Sequence, residues 1–382
     1  MLFAVLFACG HAFDTGGAGA DALPVGCGPA IAGDAAAVYD PAVLHQVRLT
    51  VGEAALDARR DAPREYVRGD VEVDGVVVPD VGVRLKGNSS FEDLDGKAAF
   101  KVKFDELCPG RTWLGLERLT LNNMVSDPTQ SQELVNYPLF AAAGLPASRV
   151  SYAEVSLNGE AYGLYANVES VDEVWLDARF ADGSGDLWEA ADGAEFTVDG
   201  VESFELKSGA GDRDALRAVA AALDGEGDRV ASLEAVLDLD QVLAYWAWKV
   251  VVGDPDGYPW NPNDLFVYGD PDRGGRFVFA PWGFDEGWQD YVAWDNAEGR
   301  LAVVCLADAA CRARLHAAVV LAVDQFEAID VSVWAEAAWA LSAPVLADDP
   351  RRPYTETEVL AARKALAATM AGRAAVVRHD LE

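Results

Sequence analysis

The chain has 382 residues, of which 51% are hydrophobic, and this is enough to bury one large core or two joined lobes. It carries 63 acidic and 30 basic side chains, which gives a formal net charge of −33. Because so negative a surface repels a polyanionic backbone and has few counterions to release on binding it, nucleic acid is excluded as a partner.

The first segment, residues 1–37, is predicted to be an export signal followed by a flexible linker. Its apolar run ends at Cys9, and a run this short cannot cross a bilayer of ~30 Å, which needs about 20 residues. The pattern is similar to a bacterial lipoprotein signal and predicts a lipid anchor on Cys9, the alternative being an ordinary signal peptide cut nearby. Gly- and Ala-rich sequence follows, as is typical of linkers.

Apart from Cys9, the cysteines form an even set, Cys27, Cys108, Cys305 and Cys311. An even number in an exported chain favours disulfides, with free buried thiols as the alternative. Cys305 and Cys311 are close enough in sequence to bridge a short loop, which leaves Cys27 to pair with Cys108. No CxxC pair occurs, so we predict no structural zinc.

Residues 38–170 are predicted to be rich in β-strands, with one helix. Asp74-Gly75 and Asn158-Gly159 each separate two apolar runs and predict hairpin turns. The helix begins after Asp127-Pro128, contains Glu133 and stops at Gly144. Residues 171–382 are mainly helical by their i, i+3, i+4 apolar spacing, interrupted by a short β segment.

Several strings in the sequence are those of one protein family. They are RLKGNSS from Arg84, KAAFKVKFDE from Lys97, LNNMVSDPTQ from Leu121, AGLPASR from Ala143, VSLNGEAYGLYANVESVD from Val155, NPNDLFVY from Asn261 and FVFAPWGFDEGW from Phe277. In this order they resemble the spore coat protein H (CotH) kinase family. The resemblance implies an α+β, two-lobed atypical protein-kinase-like fold, with a β-rich small lobe over residues 38–170 and a mainly helical large lobe over 171–382.

The implied chemistry is phosphoryl transfer from ATP, in which the enzyme positions a triphosphate and neutralises its charge. In RLKGNSS, the backbone around Gly87 and Asn88 is expected to approach phosphate oxygens, with Arg84 or Lys86 adding positive charge. The alternative for this string is a tight hairpin turn.

The string KAAFKVKF places Lys97, Lys101 and Lys103 at even spacing, so on a strand all three share one face. One lysine is expected at the α and β phosphates, held by Glu133 of the following helix. We favour Lys101 for this role, with Lys103 as the alternative. If no lysine binds a ligand, the three lysines form a solvated face of the strand. Glu169 is a second carboxylate of the family pattern.

The resemblance places the catalytic centre in GDPDGYPWNPNDLFVY and APWGFDEGW. Asp256 is expected to be the base, Asn261 or Asn263 a ligand of Mg²⁺, and Asp285 its main ligand, with Mn²⁺ as an alternative metal. The chain departs from the family pattern at three sites. Gly283 replaces the first aspartate of a common pair, which is expected to weaken binding of two metals. Asp254 and Asp264 stand where asparagines are common, a change expected to modify metal affinity or to supply another ligand.

These features predict a secreted kinase that phosphorylates Ser or Thr of exported or envelope proteins. The alternative is a catalytically inactive kinase-like protein with an adhesive or structural role at the cell surface. A third hypothesis keeps the nucleotide but transfers AMP or joins an acidic side chain, because a fold does not fix the reaction.

Overall fold

The structure, a computed structural model, describes residues 27–209, 211, 213–261 and 263–382. The predicted signal sequence and the anchor on Cys9 lie outside the described residues. The first half forms a closed barrel in the order β1-β2-β3-β4-β5-β7-β6, in which β1 pairs with β6 in parallel. Its strands are β1 Leu44–Val51, β2 Val67–Val73, β3 Val76–Lys86, β4 Ala99–Lys103, β5 Arg118–Asn122, β6 Val150–Leu157 and β7 Glu160–Val168.

Strand alternation fills the barrel. In β4, Phe100 and Val102 are buried in the interior, whereas Lys101 and Lys103 point outwards. The two predicted hairpin turns are confirmed, because Asp74-Gly75 and Asn158-Gly159 all have positive φ and connect paired antiparallel strands. Two successive positive φ angles are what a tight hairpin turn requires.

Two helices accompany the barrel strands, α1 Glu53–Asp61 and α2 Gln132–Ala142. The prediction of one helix is corrected, because α1 is not predicted from the sequence. The carboxylate of Asp127 accepts hydrogen bonds from the backbone N–H groups of Ser131 and Gln132, at 2.7 and 2.8 Å. It thereby satisfies donors that the first turn of α2 leaves free. After α2 the chain turns at Gly144, where φ is +78°.

The second half contains a smaller sheet, in the order β11-β10-β8-β9, surrounded by helices. Its elements are α3 Glu173–Arg179, β8 Leu187–Ala190, β9 Phe204–Ser208, α4 Asp214–Asp224, α5 Arg229–Glu234, α6 Leu239–Val252, β10 Leu265–Asp270, β11 Arg276–Pro281, α7 Arg300–Ala307, α8 Ala309–Ala328, α9 Val331–Asp348 and α10 Glu356–Asp380. The expectation of an α+β fold, with a β-rich small lobe and a mainly helical large lobe, is confirmed.

The C-terminal helices hold the two lobes together. Lys97 Nζ lies 2.5 Å from Asp349 Oδ2, and both side chains are almost fully buried. Beside α2, Trp339 Nε1 donates to Ser131 Oγ at 2.8 Å, and Arg363 Nε donates to the carbonyl of Thr129 at 2.9 Å. These contacts fix the start of α2 against the large lobe.

Both predicted disulfides are present, Cys27–Cys108 and Cys305–Cys311. The first ties the start of the described chain to the barrel, and the second joins α7 to α8. Over the described ranges, no helix combines the length and apolar character that a membrane crossing requires.

Candidate active site

The end of β3, the end of β5 and the first turn of α2 meet at one point between the lobes. Lys86 Nζ donates to Asn122 Oδ1, and Asn122 Nδ2 donates to Glu133 Oε1 at 2.7 Å. Lys86 therefore lies beside Glu133, and the Asn122 amide connects the two side chains. A lysine from a strand paired with a glutamate from the following helix is the arrangement that protein kinases use to hold the α and β phosphates.

This lysine and glutamate are held in an unfavourable electrostatic environment. Burial lowers the pKa of Lys86, against the opposing charges of Glu133 and Asp285. Burial and the nearby Asp285 raise the pKa of Glu133 to about 8, although Lys86 and Asn122 act in the opposite direction. Both side chains are thus less readily charged than in water, and such shifted pKa values are typical of functional sites.

The loop that follows α6 carries the predicted base. Asp254 Oδ1 accepts a hydrogen bond from the backbone N–H of Asp256 at 3.0 Å, and Asn261 Nδ2 donates to Asp256 Oδ1 at 2.8 Å. Burial, followed by the charge of Asp256, raises the pKa of Asp254 to about 6, while Lys249 opposes the shift. The structure therefore brings the predicted Asp256 and Asn261 into direct contact.

Asp264, which stands where the family pattern commonly has an asparagine, lies close to both Asp256 and Asp285. Gly283 has a φ of +63°, and a Cβ added there would lie 2.1 Å from Asp264 Oδ2. The Asp264 carboxylate therefore occupies the space that a side chain at position 283 would need. Burial raises the pKa of Asp264 well above its usual range, and Asp256 and Asp285 add to the shift.

The oxygen atoms of Asp264 and Asp285 are donors of the kind that a divalent cation binds. Within the described ranges, no three Asp, Glu, His or Cys side chains converge closely enough to hold a metal ion by themselves. Magnesium in phosphoryl-transfer sites is held by one or two carboxylates together with phosphate oxygens. Besides burial, the charges of Asp256 and Asp285 raise the pKa of Asp264, and that of Asp256 also raises the pKa of Asp285, so these carboxylates lie close together and fit a cation whose remaining ligands come from a nucleotide.

The outer face of β3 and β4 forms a basic cleft next to this centre. Arg84 pairs in register with Lys101, and the cleft beside them has a volume of about 280 Å³. Burial lowers the pKa of Lys101 to about 8, and the charges of Arg84 and Lys86 add to the shift. Among the residues that the structure describes, neither Arg84 nor Lys101 forms an ion pair with a carboxylate. Trp282 also lines the cleft and lies under Lys86, 6.0 Å from Nζ to the ring centroid.

The other predicted lysines have partners of their own. Lys97 precedes β4, does not share a face with Lys101, and is buried in its pair with Asp349. This corrects the expectation that three lysines share one strand face. Lys103 does share the face of Lys101, but its ammonium lies 2.9 Å from Glu106.

The remaining predicted residues lie in three places. Gly87 follows β3 with a φ of +110°, and the neighbouring Asn88 donates to Asp192 of the large lobe at 3.3 Å. The turn at Gly87 therefore reaches the large lobe. Glu169 directly follows β7 and is buried between Arg149 and Arg179. Asn263 lies half-buried beside Asp264.

The sequence of this chain matches the CotH kinase protein family over residues 83–366. The chain belongs to this family. The match contains Lys86, Glu133, Asp256, Asp264 and Asp285, so the residues that meet between the lobes all come from the family domain.

Two curated proteins are similar over shorter stretches. Invasin CotH3 of Rhizopus delemar is 22% identical over 183 residues, which are 43% of this chain and 30% of that protein. Inner spore coat protein H of Bacillus subtilis is 28% identical over 130 residues, 34% of this chain and 32% of that protein. The aligned parts thus span about a third of each relative.

Among solved structures, the HipA–HipB toxin–antitoxin complex of Shewanella oneidensis with operator DNA is matched over 87% of this chain and 74% of the solved chain. The TM-score is 0.36 and the identity 11%. A likeness of this size adds nothing to the family assignment.

Proposed function

We propose that this CotH-family chain is an exported phosphotransferase that moves the γ-phosphate of ATP to a Ser or Thr hydroxyl of an exported or envelope protein. The observation that carries the proposal is the meeting of Lys86 and Glu133 with Asp256, Asp264 and Asp285 between the lobes. A basic group held by a glutamate, a base and metal-binding aspartates are the parts that phosphoryl transfer requires.

Each residue has a distinct role in this proposal. Lys86, oriented by Asn122 and Glu133, binds phosphate oxygens at the end of β3. Lys101 and Arg84 add positive charge in the adjoining cleft, which Glu189 also lines. Among the described residues neither cation is in an ion pair, so both can bind an anion. Asp285 and Asp264, with Asn261 or Asn263, would hold Mg²⁺, or Mn²⁺ in its place, and the bound cation would neutralise the charge on the phosphates.

Asp256 accepts the proton of the attacking hydroxyl or orients that hydroxyl. Its Oδ1 is engaged by Asn261, so Oδ2 is the oxygen left to face the acceptor. A carboxylate fixed in this way supplies orientation as well as basicity.

Export is part of the proposal because two disulfides are present and disulfides persist in oxidising compartments. The chain would remain at the membrane through a lipid on Cys9 and would not bind nucleic acid, since its net charge is −33.

Calorimetric titration of the purified chain with ATP and Mg²⁺ tests the site. We expect a Kd between about 1 µM and 1 mM, and binding at least ~10-fold weaker in Asp285→Ala because the cation loses its main ligand. Glu336→Ala, which removes an exposed carboxylate on α9, is the matched control and should bind as the wild type does.

The mass of the modified acceptor then separates transfer of phosphate from transfer of AMP. Absence of wild-type binding, with the fold intact by circular dichroism, would reject the enzyme and favour a kinase-like surface protein without activity.

A further inference from the structure

A lysine outside the predicted site lies beneath the catalytic loop. Lys249 is in the last turn of α6, and its side chain is fully buried. Its Nζ donates to Asp254 Oδ2 at 2.7 Å and to the carbonyl oxygen of Asp256 at 2.6 Å. Burying an ammonium group is costly, and Lys is among the residues least often found fully buried.

The Lys249–Asp254 pair engages both main-chain polar groups of Asp256. Asp254 Oδ1 accepts from the Asp256 N–H, and Lys249 donates to the Asp256 carbonyl. With Asn261 bonded to Oδ1 of the side chain, the backbone and one carboxylate oxygen of Asp256 are fixed. The ion pair therefore acts directly on the backbone conformation of Asp256.

The same ammonium also lies against the segment that carries Asp285. Lys249 Nζ is 4.7 Å from the ring centroid of Phe284, the residue before Asp285. Its positive charge opposes the upward shift in the pKa of Asp264, so it is near that carboxylate as well. At Gly257, where φ is +114°, an added Cβ would lie 2.7 Å from Nζ. The loop therefore closes directly onto the ammonium.

We propose that Lys249 is a positioning residue for phosphoryl transfer, which sets the base Asp256 relative to the Phe284–Asp285 segment. Its contacts reach the catalytic loop on one side and the metal-binding segment on the other. Its charge also offsets part of the repulsion among Asp254, Asp256 and Asp264. This inference rests on the proposed function, because it assigns Lys249 a role in that reaction.

The test is steady-state kinetics of Lys249→Met, which keeps the length of the side chain and removes its charge. We expect kcat to fall by about 100-fold, the size of effect that a small misplacement of a reacting group produces. The KM for ATP should stay within about threefold, because Lys86 and Lys101 are untouched. Lys249→Arg retains a charged donor and should recover part of kcat.

A second buried pair provides the matched control. Asp349→Asn weakens the Lys97–Asp349 pair, which is similarly buried but joins the lobes. It should lower the melting temperature while leaving kcat within about threefold. If Lys249→Met does not fold, the neutral double variant Lys249→Met/Asp254→Asn replaces it, with the same expected loss of kcat.

The outcomes separate two failures. If the wild type transfers phosphate and a folded Lys249 variant loses only thermal stability, the positioning role is overturned and the pair is structural. If the wild type transfers no phosphate, the proposed function fails and this inference fails with it.

Discussion

Two buried glutamates, Glu133 in the first turn of α2 and Glu169 directly after β7, have different sets of hydrogen-bond partners. Glu169 accepts hydrogen bonds from the Arg149 guanidinium at 2.5 Å, from the Arg149 backbone N–H at 3.0 Å and from Arg179. Within the described ranges, the hydrogen bond to Glu133 comes from Asn122, and its nearest cation, Lys86, is bonded to the same amide. One carboxylate is saturated with donors and the other is not.

Their pKa values differ in the same sense. Burial alone would raise the pKa of Glu169, but hydrogen bonds from Arg149 and the charge of Arg179 outweigh it and lower the value. At Glu133, burial and Asp285 prevail and raise the pKa to about 8. A buried charge whose partners are complete supports the fold, whereas one left incomplete is available to a ligand. We therefore expect Glu133 to affect turnover and Glu169 to affect stability.

The largest effect is expected from Lys86, the partner of Glu133. Lys86→Met should lower phosphotransfer by about 10²–10³-fold, because the transferring phosphate loses a fixed positive charge. Radiometric assay with ATP and Mg²⁺ measures the loss. Lys364→Met, on the exposed face of α10, is the control and should behave as the wild type does. Equal activity in both variants would show that Lys86 does not bind phosphate.

Glu133→Gln should lower the same activity by about 10–100-fold, since the amide still accepts from Asn122 but no longer attracts Lys86. In the metal-free protein, by contrast, we expect Glu133→Gln to increase the stability of the fold. A carboxyl whose pKa is raised from 4.5 to about 8 in the fold makes the protein less stable as pH rises across that window.

The Gln variant lacks this ionisation, so at pH 8 its unfolding free energy should exceed that of the wild type by roughly 1–3 kcal/mol. Its melting temperature at pH 8 should be higher as well. The two proteins should converge near pH 4.5. A Gln variant that is less stable than the wild type at pH 8 would show that Glu133 is a structural group like Glu169.

The comparison of Glu133 with Glu169 can be extended to a basic side chain, Lys101, which forms no ion pair among the described residues. Lys101→Met should weaken ATP binding by up to ~10-fold while leaving kcat nearly unchanged, because the group lies in the cleft away from Asp256. Since burial and neighbouring cations lower its pKa to about 8, wild-type affinity should fall as pH rises through 8. Calorimetry at pH 7 and pH 9 measures both effects. A change in kcat with unchanged affinity would contradict this role.

Much of the small lobe could be predicted because its signals are local. The turns at Asp74 and Asn158 depend on residues next to one another in sequence, and the start of α2 depends on the Asp127 side chain. The choice among lysines was different. Even spacing predicts a shared face only if the strand includes every lysine, and β4 begins at Ala99, after Lys97.

The identity of the lysine beside Glu133 depends on how the barrel meets α2, which no local pattern records. The sequence favoured Lys101, and the structure brings Lys86 next to Glu133. The sequence indicates Asp264 as a further metal ligand solely through its departure from the family pattern. The available signal was Gly283, whose missing side chain leaves the space that the Asp264 carboxylate fills.

The smallest effect on nucleotide binding, and a substantial one on stability, is expected at Glu169. Glu169→Gln leaves Arg149 and Arg179 without a counter-charge and should cost about 3–5 kcal/mol of unfolding free energy at pH 7, while the Kd for ATP changes by less than about twofold. Denaturant titration and calorimetry of the same variant measure the two quantities.

The pH dependence of Glu169→Gln is a sharper criterion. Because the fold lowers the pKa of Glu169, its contribution to stability is complete above the unfolded value near 4.5 and is lost as pH falls through the folded value. The difference between wild type and Glu169→Gln should therefore shrink in acid. A difference that persists below the folded pKa would mean that the arginines bind Glu169 by shape and hydrogen bonding more than by charge. The contrast with Glu133 would then concern the number of donors at each carboxylate, and not the sign of the charge around it.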